Sequence, residues 1–280
     1  MLIVFVVMAG VLGLAIGSFL NVVIYRVPAG ESLSSPPSHC PACDARIRWI
    51  DNIPVVSWLV LRGRCRHCKA RISIRYPIVE AATCVAFVLV ALCFAPGGWL
   101  AGSVEITVTS DLIAQILVLV AYLWFAAAGI ALAAIDLDAR RLPDPIVWTT
   151  LVALALLFAG AAAIRGDLAP IGTALLGGLA MLAFYFLLVL IAPRGMGLGD
   201  VKLSAVLGVA TGWIGWSSVL VGWFAGFLIG ALVGVGLIVA RRAGRRAAIP
   251  FGPWMLVGAW VGIVAGPWAW QLYTGALGLA

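Results

Sequence analysis

Eight stretches of this 280-residue chain are almost continuously apolar, separated by short polar or glycine-bearing connections. They run roughly Leu2–Ile24, Pro77–Phe94, Leu112–Ala134, Ile146–Ile164, Ile171–Ile191, Val201–Trp213, Trp216–Ala240 and Phe251–Tyr273. A helix crossing a bilayer needs about 20 mostly apolar residues. The sixth stretch is short for a full crossing, and Gly212 and Gly215 are the only punctuation between it and the seventh. The pattern predicts an all-α polytopic membrane protein with about eight transmembrane helices. The first stretch has no basic residue before it and is too long for a signal-peptide core. It reads as a retained helix with its N-terminus outside.

Composition supports this class: 64% of residues are hydrophobic and 10% charged, more apolar surface than one soluble core can hide. The net charge of +7 would suit nucleic acid, but its placement argues otherwise. Nine of the 18 Lys and Arg residues lie between Arg26 and Arg75, and Arg241, Arg242, Arg245 and Arg246 fill the last connection. With an external N-terminus, every connection except that of Arg165 puts its basic residues in the cytoplasm. This is the positive-inside pattern. The charge therefore reports orientation, with anionic lipid headgroups as partners, and no nucleic-acid partner is expected.

Residues 26–76 form the one sizeable polar segment, which gives three expected parts: helix 1–25, loop 26–76 and a membrane body 77–280. The loop carries Cys40-Pro41-Ala42-Cys43 and Cys65-Arg66-His67-Cys68, two CxxC knuckles 21 residues apart. Two such turns supply the four thiolates of a structural, zinc-ribbon-like site. A reducing cytoplasm disfavours disulfides, and thiol exchange at a CxxC is the competing reading. So small a loop has little core, so the metal is expected to supply folding energy. His67, inside the second knuckle, could replace a cysteine as ligand but reads first as a neighbouring polar residue, as does His39. Cys84 and Cys93 read as packing residues in the second span.

The candidate chemistry lies in two acids at cytoplasmic span ends, Asp136 in IDLDARRLPD and Asp200 in GMGLGDVKL. Carboxylates at membrane depth are costly unless paired, hydrated or used. Asp138 is two residues from Asp136 and would face elsewhere on a helix, while Asp144 reads as a helix-dipole acid. Gly195, Gly197 and Gly199 allow close backbone approach to Asp200. Two neighbouring carboxylates can share a proton, so that one activates water and the other protonates a leaving amine. The bland alternative pairs Asp200 with Lys202 or Arg194 and Asp136 with Arg140. From the acids alone, an ion-coupled transporter is also open.

These blocks together resemble the bacterial type IV prepilin leader peptidases, membrane aspartic proteases of the GxGD type. The matching segments are GSFLNVVIYRVP (Gly17–Pro28), the double CxxC, Ile47–Cys65, Ile72–Glu80, the two aspartate motifs and IPFGP (Ile249–Pro253). The resemblance implies Asp136 and Asp200 as the catalytic pair and Cys40, Cys43, Cys65 and Cys68 as zinc ligands. It implies cleavage of the basic leader of prepilins and pseudopilins at the cytoplasmic face of the inner membrane. Methylation of the new N-terminus by S-adenosylmethionine follows, at residues the sequence leaves unassigned. Glu80, Gly197, Gly199 and Lys202 are the expected substrate contacts, Glu80 holding the new amino terminus or pairing with Arg75. The sequence departs from the family around the LPD turn, with Arg141 before it and Pro145-Ile146-Val147-Trp148 after it.

Two other classes remain as alternatives. A proton- or metal-coupled transporter would show repeats with broken helices, and no clear repeat is present. A zinc hydrolase would need an open metal position, which four thiolates do not leave.

Overall fold

The computed structural model describes residues 1–100, 109–192, 196–240 and 250–278. Arg194, Gly195, Glu105, Arg241, Arg242, Arg245 and Arg246 lie outside the described residues. Nine helices follow one another among those that are described: α1 (Leu2–Ala29), α2 (Val56–Val60), α3 (Arg75–Phe94), α4 (Thr109–Ala139), α5 (Asp144–Arg165), α6 (Ala169–Ile191), α7 (Leu198–Ile214), α8 (Trp216–Val239) and α9 (Gly252–Ala276). All but α2 and α7 are long and apolar enough to cross a membrane. Helix α7 is the short sixth stretch of the sequence, and with 17 residues it brings the apolar helices to the expected eight.

Two helices outrun the apolar windows. Helix α1 continues to Ala29, where Gly30 takes a left-handed φ of 70° and ends it, as glycine does most cheaply. Helix α4 continues to Ala139, so Asp136 lies within its last two turns rather than after it. The Ala-rich segment before Pro143 offers no earlier breaker. Gly215, at φ 140°, makes the one-residue turn between α7 and α8, whereas Gly212 is a packing residue inside α7.

The chain divides into two compact units, Met1–Gly102 and Ser103–Ala280. In the first, α1 packs on α3. A methyl group at Gly17 would lie 2.7 Å from the Cα of Glu80, so glycine at this position sets how near the α3 acid comes to α1. The loop between them holds two short turns of helix with no buried residue in either. Trp58 covers Gly63 and donates its indole N–H to the Ile72 carbonyl at 3.3 Å. Arg66 makes a forked ion pair with Asp51, with N···O distances of 2.6–3.0 Å. The Arg66 guanidinium holds the Asp51 carboxyl below the usual carboxylate range.

In the second unit α6 packs on α7, α8 on α9 and α4 on α5. The α6–α7 seam brings Gly177 and Gly178 against Gly208 and Gly212. The α8–α9 seam brings Gly222 and Gly226 against Gly258 and Gly262. Small residues four apart let helices approach closely where lipid removes the hydrophobic drive. A methyl at Gly208 would run into the Gly177 carbonyl. Gly208→Ala is therefore expected to cost about 1–3 kcal/mol, read as a lower melting temperature in detergent. Phe158 stacks on Trp213 at 4.4 Å, and Tyr122 donates its hydroxyl hydrogen to the Ala210 carbonyl at 2.8 Å, tying α4 and α5 to α7.

Candidate functional site

Asp136 is buried, with 5% of its surface exposed. Its Oδ2 accepts the backbone N–H of Gly252 at 3.2 Å. Gly252 is the first residue of α9, so the carboxylate sits where the first turn's amides have no helical partner and the helix dipole favours negative charge. A methyl at Gly252 would fall 2.9 Å from Asp136 Oδ2. Gly252→Ala is accordingly expected to displace the carboxylate and, on the catalytic role that the resemblance implies for Asp136, to lower leader cleavage at least about tenfold, measured beside an unchanged helical circular-dichroism spectrum.

Asp200 is the third residue of α7 and is half-buried. Its Oδ2 accepts the Gly197 N–H at 3.4 Å, a long contact reaching back over the helix start. Asp136 and Asp200 stand within electrostatic range of each other. Leu142, in the turn between α4 and α5, bridges the two motifs. Its side chain would stand 3.1 Å from a Cβ on Gly199 and 3.4 Å from one on Gly252. A side chain at Gly199 would therefore crowd Leu142, whereas one at Gly252 would crowd the Asp136 carboxylate and only touch Leu142.

The neighbouring acids have different surroundings. Asp138 is exposed. Asp144 opens α5 and forms an ion pair with Lys202, both Oδ atoms lying 2.8 Å from Nζ. Lys202 is thus engaged by α5 rather than by Asp200. Gly197 is exposed and Gly199 half-buried at the start of α7. In the other unit, Glu80 is buried and accepts the Val55 N–H at 2.7 Å and a hydrogen bond from Ser18. Val55 has φ 59°, which is strained for a β-branched residue.

The four loop cysteines come together, their sulfurs all within 4.8 Å of one another. Cys40 and Cys68 Sγ are 3.8 Å apart. Four thiolates at about 2.3 Å from a tetrahedral zinc are separated by roughly that distance. The knuckles repeat one geometry. Asp44 and Lys69, each four residues after the first cysteine, have φ of 59° and 61°, and each donates its N–H back to that cysteine's carbonyl. His39 bridges to Arg46 and Arg64 to Arg71 in the same register. His67 is not among the clustered ligands, although the Cys68 and His67 amides pull the Cys65 thiol down to about 7. The donor set fits zinc and leaves no open position.

Two family models match the chain. The Bacterial Peptidase A24 N-terminal domain covers residues 11–94, and the Type IV leader peptidase family covers residues 122–235. The chain belongs to the type IV leader peptidase family.

Its relatives include the prepilin leader peptidase/N-methyltransferase of Aeromonas hydrophila, 37% identical over 282 residues, with 90% of this chain and 88% of that protein aligned. The protein of the same name from Neisseria gonorrhoeae is 38% identical, with 94% and 92% aligned. The Escherichia coli type 4 prepilin-like proteins leader peptide-processing enzyme is 36% identical, with 90% and 91% aligned. No solved structure matches the chain. The two family models fall one in each compact unit, with the thiol cluster in the first and the aspartates in the second. Two residues beside the aspartates carry no role in the sequence alone. Leu142 and Gly252 lie within the LPD and IPFGP segments, and only the folded chain brings them to Gly199 and Asp136.

Proposed function

We propose that this protein cleaves the basic leader from prepilins and pseudopilins at the cytoplasmic face of the bacterial inner membrane, and then methylates the new N-terminus. The observation that carries this reading is the buried Asp136 carboxylate on the α9 amide of Gly252, within electrostatic range of Asp200 at the start of α7. The pair works with one member ionised and the other protonated. The ionised carboxylate takes a proton from water as its oxygen attacks the scissile carbonyl carbon. The protonated one gives its proton to the leaving amine nitrogen. The exposed Gly197 leaves room for an extended peptide backbone beside Asp200, whereas Leu142 takes up the space beside Gly199. Lys202, held by Asp144, lies on the same first turns of α7. The basic leader remains in the cytoplasm, and the positive-inside distribution of this chain's basic residues supports the same side for both acids.

Cys40, Cys43, Cys65 and Cys68 hold a structural zinc that orders the loop. S-adenosylmethionine, when bound, supplies an electrophilic methyl group on a sulfonium. Glu80 offers a buried carboxylate for the new amino terminus.

The test is reconstitution of the purified protein with a prepilin and S-adenosylmethionine in liposomes, followed by mass spectrometry of the pilin. Loss of the leader and gain of one methyl group are expected. An intact leader, together with proton or metal flux through the same liposomes, would favour the transporter reading instead.

A further inference from the structure

The first unit contains a cavity of about 320 Å³ between the cytoplasmic half of α1 and loop residues 33–38 and 52. No step of leader cleavage uses it. We propose that this cavity binds S-adenosylmethionine, an inference that rests on the methylation assigned above. Its volume is that of a small-molecule site. Among the described residues Arg26 is the sole charge on its wall. Arg26 is buried, and two of its N–H groups are spent on loop carbonyls, Nη1 on Ser32 at 2.8 Å and Nη2 on Pro36 at 2.6 Å. A guanidinium has five N–H donors, so the loop contacts hold it rigid while leaving donors for the carboxylate of a methionine moiety.

The rest of the wall fits the other parts of the ligand. Phe19 offers an aromatic face and Pro36 and Pro37 flat apolar surface for an adenine, while Ser34, Ser38 and Asn52 offer hydrogen bonds for a ribose. Ser18 lines the cavity and also hydrogen-bonds Glu80. A buried carboxylate therefore stands one hydroxyl behind the wall, where positive charge on a sulfonium or an amine is favoured. A peptide amine alone is a poorer occupant, because Arg26 repels it. Placement in the chain points the same way. The relatives' names carry two activities, the chain has two compact units, and the aspartates occupy the second.

The test measures equilibrium binding of tritiated S-adenosylmethionine to the full-length protein in nanodiscs. Saturable binding is expected for the unaltered protein. Ser34→Trp and Ser38→Trp put an indole into the cavity from its exposed rim. Each is expected to weaken binding at least about tenfold, with zinc content and melting temperature kept. Unchanged affinity in both variants would overturn the assignment of the cavity. An azidoadenine photoanalogue, used on the unaltered protein, is expected to label peptides within residues 15–38. Labelling confined to residues 103–280 would overturn the proposal whether or not the variants fold. Absence of saturable binding to the unaltered protein would reject it together with methylation. None of these results bears on leader cleavage, which the liposome assay reads separately.

Discussion

Asp136→Asn and Asp200→Asn are each expected to lower prepilin cleavage at least about a thousandfold while the protein stays folded. Asparagine keeps the shape of the side chain, and its carbonyl oxygen can still accept the Gly252 N–H that Asp136 Oδ2 accepts at 3.2 Å. What is lost is the ability to take or give a proton. If the two act as one unit, the double variant should be scarcely worse than either single one. Asp138→Asn is the control. That acid is exposed two residues along α4, and its variant is expected to cleave at the normal rate. Gel-resolved cleavage in liposomes, with melting temperatures alongside, checks all four proteins. Full cleavage by Asp136→Asn or Asp200→Asn would reject the dyad.

Much of this was legible because a membrane simplifies the reading. Apolar runs of this length have only one helical solution in a membrane, so all eight long apolar helices are visible in the sequence. The limits of those runs were less visible. Hydropathy falls at Asp136, yet the helix runs on to Ala139, since nothing before Pro143 prevents it. The glycines of α6 to α9 read as apolar filler, because what marks Gly208 or Gly258 is the partner helix facing it. The CxxC pairs exposed the thiol cluster directly, as both knuckles are local. Leu142 and Gly252 were not readable in the same way. Their proximity to Gly199 and Asp136 joins segments 57 and 116 positions apart, and no local pattern carries it. The Lys202–Asp144 pair is hidden for the same reason.

Replacing Cys40 and Cys65 together by Ser is expected to abolish zinc binding and unfold the loop between α1 and α3. Neither short helical turn in that loop buries a residue, so little apolar surface is available to hold it together. Among the described residues the other ties include the Trp58 cover over Gly63, the Arg66–Asp51 fork, the Val55 N–H to Glu80 and the Arg26 contacts to Ser32 and Pro36. Exposed ion pairs of this kind contribute little alone, whereas binding of a structural zinc is itself folding free energy. Removing one cysteine from each knuckle leaves two ligands where a closed tetrahedral site needs four. Metal analysis should show zinc lost, and limited proteolysis should cut within residues 30–74 while the helices resist. A chelator acting on the unaltered protein should reproduce the same cuts, and added zinc should reverse them. Cleavage of prepilin should fall less than in the aspartate variants, because Asp136 and Asp200 belong to the other compact unit. Full zinc content in the double serine variant would reject the four-thiolate site. Loss of cleavage as complete as in Asp136→Asn would instead give the metal a part in the reaction.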